Sequence, residues 1–131
     1  MTLHATGNFA VKSWDEAPYS EIEGQPKLTR ADVVYTYQGD LEGEGKVTYL
    51  MCYSSNNIAY FIAYEQVTAQ LGGRSGNFVL QHVGTYEAGA VKDALTVVPG
   101  SATGDLRGLL GEGISGGDGE AVFTLDYDII V

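Results

Sequence analysis

Apolar and polar residues alternate with a period of two along most of this chain, which is the pattern of half-buried β-strands. In TRADVVYTYQG, residues 29–39, one face carries Ala31, Val33, Tyr35 and Tyr37, and the other carries Arg30, Asp32, Val34 and Thr36. The β-branched and aromatic content of the segment agrees with its period. We therefore interpret it as a strand with one buried face.

The same pattern recurs in about eight segments, punctuated by eighteen glycines and by turn signals such as SSNN, GGRSG and SGGDGE. The segments cover residues 3–14, 29–39, 44–54, 57–71, 75–89, 90–100, 109–116 and 121–131. Short strands with tight connections predict an all-β fold, a single antiparallel barrel of about eight strands. A two-sheet sandwich is the alternative that periodicity leaves open. Two segments lack the period of two. Residues 15–27 are predicted to form a long loop and candidate lid, and residues 100–108 a short helical turn.

Composition limits the domain count and the partners. A chain of 131 residues and 14.0 kDa predicts one domain, residues 1–131. Its net charge of -10 repels nucleic-acid phosphates and anionic lipid surfaces, so we expect neither as a partner. We see no signal-peptide pattern and no apolar run long enough to span a membrane. Cys52 is expected to be a buried, inert thiol. A cytoplasmic location is therefore the default.

Residues 58–67 are apolar on both faces. Ile58, Tyr60, Ile62 and Tyr64 share one face, and the other carries Ala59, Phe61, Ala63, Glu65 and Val67. A monomeric barrel needs only its inner face apolar, so the second apolar face predicts a homo-oligomer.

His82 and Glu65 are the candidate catalytic residues. His82 alternates with Phe78, Leu80 and Tyr86, next to the polar Gln81, and its ordinary pKa near neutrality suits a general acid or base. The alternative is a core histidine held by a neighbouring hydrogen bond. Glu65 lies among small and apolar residues, where a carboxylate needs a partner.

Arg30 is the candidate partner of Glu65, either as a structural ion pair or as a clamp for a substrate carboxylate. Trp14 is placed to close one mouth of the barrel. Tyrosines such as Tyr35 and Tyr64 would give a lumen apolar walls with orienting hydroxyls, and Gln81 is a further candidate ligand contact. No phosphate loop, calcium loop, nucleophile elbow or metal-binding histidine pair is found, so we expect no cofactor and no metal.

Five blocks, FAVKSWDEAPY, PKLTRADV, GDLEGEGKVTYLMCY, GRSGNFVLQHVGTYEAG and VVPGSATGDLRGLLGEG, resemble the bacterial family catalogued as domain of unknown function 3224. The resemblance runs from Phe9 to Tyr127 and implies a fold similar to the allene oxide cyclase barrel. Barrels of that shape include cyclases for fatty-acid epoxides and polyketide intermediates. An acid followed by arginine is typical of the family at Glu65 and Gln66, and the arginine is absent here.

Three functions are compatible with these features. The first is a cofactor-independent cyclase or isomerase that binds a hydrophobic small molecule in the lumen, with Glu65 and His82 moving a proton. The second is a non-catalytic carrier of such a molecule. The third is a barrel filled by its own side chains that acts through its oligomer surface. We predict the first, and sequence does not decide whether the protein is an enzyme.

Overall fold

A computed structural model describes residues 2–55, 58–116 and 121–130 of the chain. These residues form nine β-strands, and no helix occurs within the described ranges. The strands are β1 (Leu3–Ser20), β2 (Lys27–Gly39), β3 (Leu41–Ser55), β4 (Ile58–Leu71), β5 (Arg74–Glu87), β6 (Ala90–Val97), β7 (Thr103–Gly104), β8 (Leu109–Ser115) and β9 (Val122–Ile129). None of the described residues belongs to a helix able to cross a membrane.

Eight of the strands form one closed antiparallel ring. The order is β4-β3-β2-β1-β9-β8-β6-β5, and pairing of β4 with β5 closes the sheet. This closure confirms the prediction of an all-β, barrel-like fold of about eight strands and is incompatible with the two-sheet sandwich. The turns predicted at residues 54–57 and 115–120 include residues 56, 57 and 117–120, which lie outside the described ranges.

The predicted helical turn at residues 100–108 is wrong. β7 pairs with β5 at Gly76 and Asn77, beyond the end of the β5–β6 ladder. Tight turns follow, closed by bonds from Arg107 N–H to the Gly104 carbonyl and from Leu109 N–H to the Leu106 carbonyl. Gly104 and Gly108 have φ of 69° and 88°, and this left-handed conformation stops a helix from propagating.

β1 is longer than predicted and changes face in its middle. A register shift between Val11 and Ser13 inserts Lys12 as an extra residue against β2, so that residues beyond it alternate with the opposite parity. The strand continues to Ser20, which leaves only residues 21–26 as a connection. The predicted lid at residues 15–27 is therefore largely strand. Pro18 is tolerated because β9 pairs only with Leu3 to Asn8, so this end of β1 is a sheet edge.

The interior of the ring is built from alternate residues of every long strand. The residues predicted to face inward are buried on β2, Ala31, Val33, Tyr35 and Tyr37, and on β4, Ala59, Phe61, Ala63, Glu65 and Val67. The interior therefore contains charged groups as well as a hydrophobic core, and these groups form the candidate site.

Candidate functional site

Three titratable side chains meet inside the ring on the neighbouring strands β4, β5 and β6. His82 Nε2 lies 2.7 Å from Glu65 Oε1, and His82 Nδ1 lies 2.6 Å from Asp93 Oδ2. The ladder pairs His82 with Ala63 and Gly84 with Asp93, so both carboxylates lie diagonally across from the histidine, within reach of its ring. We call Glu65, His82 and Asp93 the interior triad.

Two hydroxyl groups extend the interior triad at its ends. Tyr37 donates a short hydrogen bond to Glu65 Oε2, and Ser115 Oγ donates to Asp93 Oδ2 at 2.9 Å. Gly45 lies against the Glu65 carboxylate, at a position where a Cβ would collide with Oε2. Both oxygens of Glu65 are therefore occupied, in a space that the absence of a side chain at residue 45 provides.

His82 carries a proton at neutral pH. Burial lowers the pKa of His82, but hydrogen bonds to Asp93 and Glu65, together with their negative charges, outweigh burial and raise the pKa to about 9. With both ring nitrogens protonated, each donates to one carboxylate.

Asp93 differs from Glu65 because only one of its two carboxylate oxygens accepts hydrogen bonds from the described residues. The residue has a relative exposure of 5%, and Oδ1 has no hydrogen-bond partner among the residues that the structure describes. Buried carboxylate oxygens normally accept a hydrogen bond, because losing hydration without a replacement is unfavourable. Asp93 also lines the main interior cavity. The arrangement provides an acceptor for a donor group inside that cavity.

The cavity has a volume of about 360 Å³ and is open at one end of the ring. Seven aromatic side chains line it, and we call them the aromatic wall: Phe9, Trp14, Tyr35, Tyr49, Tyr53, Phe61 and Tyr86. Trp14 stacks on Tyr49 with ring centroids 6.0 Å apart, and Phe61 meets Tyr49 edge-on at 5.4 Å. The volume is that of a site for a small organic molecule.

The aromatic wall also contains a hydrogen-bond donor. The hydroxyl oxygens of Tyr35 and Tyr49 lie 2.8 Å apart, and either can donate to the other. Burial raises the pKa of Tyr35 to about 12 and raises the pKa of Tyr49 further, so both keep their protons. One proton joins the two oxygens, and the second hydroxyl hydrogen remains for another acceptor.

Glu16 is a second carboxylate, at the rim of the cavity, and three side chains donate hydrogen bonds to it. It accepts hydrogen bonds from Thr29 at 2.7 Å, Tyr53 at 2.5 Å and Trp14 Nε1 at 3.1 Å. Burial raises the pKa of Glu16, but the hydrogen bonds from Tyr53, Thr29 and Trp14 outweigh burial and lower the pKa below its ordinary value. The shift of register at Lys12 places Trp14 and Glu16 on this face.

The structure separates the predicted site residues into three groups. Trp14 and Tyr35 line the main cavity, whereas His82 lines only a space of about 20 Å³ deeper inside the ring. Glu65 is buried beyond His82. The two predicted catalytic residues are thus in contact with each other, and Asp93 stands between them and the main cavity.

Arg30, Tyr64 and Gln81 lie on the outer face of the ring, so the predicted luminal positions of these residues are wrong. Arg30 is exposed and bonds to Asp32 at 3.3 Å, which also excludes its predicted pairing with Glu65. Tyr64 is exposed, and Gln81 is paired with it across the strands. Each is next in sequence to an inward residue, and alternation along a strand places neighbours on opposite faces.

Sequence reasoning missed Asp93, Ser115, Tyr37 and Glu16 as parts of the site. Asp93 had a detectable signal, because in VKDALTV it shares a face with Val91, Leu95 and Val97, as Glu65 does with apolar residues on β4. Ser115 and Glu16 carried no such signal. In the described part of the chain, no three His, Cys, Asp or Glu side chains are grouped to hold a metal ion.

Comparison with known proteins shows the family. Residues 5–127 match the family described as Protein of unknown function (DUF3224). A crystal structure of a protein with unknown function from that family, from Shewanella oneidensis MR-1 at 1.84 Å resolution, is similar with a TM-score of 0.82. The two chains are 29% identical, and the match covers 100% of each. No curated protein matches the chain. The chain belongs to the DUF3224 family.

Proposed function

We propose that the protein binds a small molecule with a hydrophobic body in the main cavity and acts on it as a cofactor-independent isomerase or cyclase. One observation carries this proposal: a buried carboxylate, Asp93, has one oxygen held by His82 and Ser115 and the other without a partner in the described residues, at the wall of an apolar cavity. A relation to the allene oxide cyclase barrel is part of the proposal.

In this reaction Asp93 is the catalytic residue. A bond between hydrogen and an atom of the substrate breaks, Asp93 Oδ1 takes the proton, and the electron pair stays on the substrate. The free hydroxyl hydrogen of the Tyr35 and Tyr49 pair stabilises negative charge that develops on a substrate oxygen. The proton then returns to another atom of the same molecule. Substrate and product have the same composition, so no co-reactant is needed.

His82 and Glu65 are positioning residues in this scheme. The positive charge on His82 compensates the charge of Asp93 in apolar surroundings and holds Oδ2, which leaves Oδ1 without a partner among the described residues. Glu65 fixes the other side of the imidazole ring. We therefore move the acid–base role predicted for Glu65 and His82 to Asp93.

Native mass spectrometry of protein purified from its host is the first test. We expect a retained small molecule that is released on denaturation. When this molecule is incubated with the protein in D2O, the wild type should exchange one of its carbon-bound hydrogens. Asp93→Asn keeps the shape of the side chain and should reduce exchange by about 10²-fold or more, while binding is retained.

Asp32→Asn, the same change on the outer face, is the matched control and should leave exchange unchanged. If the molecule binds but no hydrogen exchanges, the protein is a non-catalytic carrier. If the purified protein is empty and binds no small molecule, the proposal of a ligand-binding cavity is overturned.

We also propose that the outer face of β3, β4 and β5 is covered by a second copy of the chain. The outer patch consists of Leu50, Tyr60, Ile62, Tyr64 and Val83, which are 44 to 60% exposed. The ladders align Leu50, Ile62 and Val83 in one row, and Tyr60 and Tyr64 flank Ile62 along β4. The patch contains no charged residue, so two copies of a chain of charge -10 can meet here without opposing carboxylates.

A two-fold axis near Ile62 would pack Tyr60 of one copy against Tyr64 of the other, because an isologous interface uses the same residues twice. Sedimentation velocity at micromolar concentration should show a dimer, and Ile62→Lys should produce a monomer with the same secondary structure. A wild-type protein that is monomeric at that concentration would refute the proposal.

A further inference from the structure

The side chains that line the main cavity include one carboxylate and no basic group. Among these residues Asp93 is the only charged one, and no Lys, Arg or His is present in the described lining. Glu16 adds a second negative charge at the rim, through its bonds to Tyr53 and Trp14. Among the described residues that line the cavity, a bound carboxylate or phosphate would find no cation to pair with it. The clamp predicted from Arg30 is on the outer face.

The nearby positive charges are already paired. His82 uses both ring nitrogens on Glu65 and Asp93. Lys27 Nζ lies 4.9 Å from the centroid of the Tyr53 ring, next to the acidic Glu16. That contact is a cation–π interaction with one ring of the aromatic wall. The ring faces of the aromatic wall can attract a cation in the same way when it enters the cavity.

Three features of the cavity favour one chemical class of ligand. Asp93 Oδ1 needs a donor, the aromatic wall favours positive charge, and the described lining holds one carboxylate and no basic group. We propose that the ligand of this cavity is an organic ammonium ion with a compact apolar body, whose N–H donates to Asp93 Oδ1 and whose charge lies against the aromatic wall. The net charge of -10 would also attract cations to the protein.

This inference rests on the proposed function and names its substrate class. The N–H bond that donates to Asp93 is the bond that breaks in the reaction. The proton moves to Oδ1, and the lone pair of nitrogen attacks an unsaturated carbon of the same molecule, so that the new ring bond forms as the π bond breaks. The proton then returns to the carbon that receives the π electron pair.

Three probes of similar size and different charge test the inference. We would titrate the full chain at neutral pH, by calorimetry, with 2-phenylethylammonium, 2-phenylethanol and phenylacetate. The ammonium should bind about tenfold or more tightly than the alcohol, and phenylacetate should bind most weakly. Equal binding of the ammonium and the alcohol, or preference for phenylacetate, overturns the inference, as does absence of binding by all three.

Asp93→Asn should abolish the preference for the ammonium and leave the affinity for the alcohol within about twofold. Asp32→Asn is the control and should keep the preference. Because a change at a buried position can prevent folding, Trp14→Leu provides a second variant at a half-exposed residue of the aromatic wall. It should weaken the ammonium several-fold more than the alcohol, and equal weakening of both would count against the inference.

The two proposals fail separately. If the probes bind in the expected order but the retained molecule exchanges no carbon-bound hydrogen, the ligand class stands and catalysis is excluded. If the retained molecule is an anion that does exchange, catalysis stands and the ammonium inference is overturned.

Discussion

Two neighbouring residues of β4 occupy opposite surroundings. Glu65 has a relative exposure of 0% and points into the ring, whereas Tyr64 is 60% exposed and points outward. A charged residue is therefore fully buried, beside a large apolar residue in solvent. This arrangement is the reverse of what hydrophobicity alone predicts for the pair.

The difference shows that a buried charge and an exposed aromatic residue have different physical explanations. Glu65 is tolerated inside because Tyr37 and His82 use both of its oxygens, so that its lost hydration is replaced. No hydrogen bond within the described residues explains the position of Tyr64, but it belongs to a continuous outer patch. A lone exposed apolar residue needs no explanation, whereas a patch indicates an interaction surface. The following predictions test this contrast, from the largest effect to the smallest.

Glu65→Leu should produce the largest loss of stability. It leaves the His82 ring and the Tyr37 hydroxyl without their acceptor inside the ring, and removal of one partner from a buried charged pair lowers the free energy of unfolding by about 3–5 kcal/mol. Urea denaturation measures the loss. Gln66→Leu, on the exposed outer face, is the control and should change stability by less than about 0.5 kcal/mol. Similar effects of the two changes would contradict the contrast between the faces.

The charge of His82 makes stability depend on pH. The pKa of His82 is raised from 6.5 to about 9 in the folded protein, by hydrogen bonds and charges that outweigh burial. A raised folded-state pKa stabilises the protein fully below pH 6.5, and this stabilisation is lost as the pH rises through 9. The shift corresponds to about 3 kcal/mol.

Urea midpoints measured between about pH 6 and pH 9 should therefore fall as pH rises. In His82→Gln this part of the pH dependence should disappear. A wild-type free energy of unfolding that stays constant over this range would show that His82 is neutral in the folded protein.

Gly45→Ala should destabilise by about 1–3 kcal/mol, because the new methyl group would collide with the Glu65 carboxylate and approach the Tyr37 ring. The double variant with Glu65→Ala isolates the cause. In that background the methyl group has room, so Gly45→Ala should have a smaller effect on the free energy of unfolding. Additive effects would show that the carboxylate is not the reason for glycine at this position.

Tyr64→Thr should change the stability of the isolated subunit least, within about 0.5 kcal/mol, because the side chain is exposed and threonine suits a strand. Denaturation in the Ile62→Lys background, where we expect a monomer, measures this quantity. In the otherwise wild-type chain the same change should weaken dimerisation in sedimentation velocity. A large loss in the monomeric background would mean that Tyr64 supports the fold itself.

Sequence periodicity predicted much of the fold and only part of the candidate site. Ala31 to Tyr37 on β2 and Ala59 to Val67 on β4 face inward as their alternation predicts. The same alternation placed Arg30 opposite Tyr35, and Tyr64 opposite Glu65. By that rule Arg30, Tyr64 and Gln81 belong on the outer face, not in the lumen. The structure places all three on the outer face.

The partners of the buried charges could not be predicted in this way. Glu65, His82 and Asp93 are separated by 17 and 11 residues, and their contact depends on the diagonal offset between three paired strands. A single inserted residue, Lys12, reverses the faces of β1 and brings Trp14 and Glu16 to the cavity. Alternation within one strand contains no information about either feature.

The sequence by itself determined that this chain forms antiparallel strands with one buried face, because side-chain direction in a strand is a local property with a period of two. Only the tertiary structure decided which charges meet, that Asp93 rather than His82 borders the main cavity, and that part of the interior is open. Those features depend on register and ring closure, which bring together residues distant in sequence.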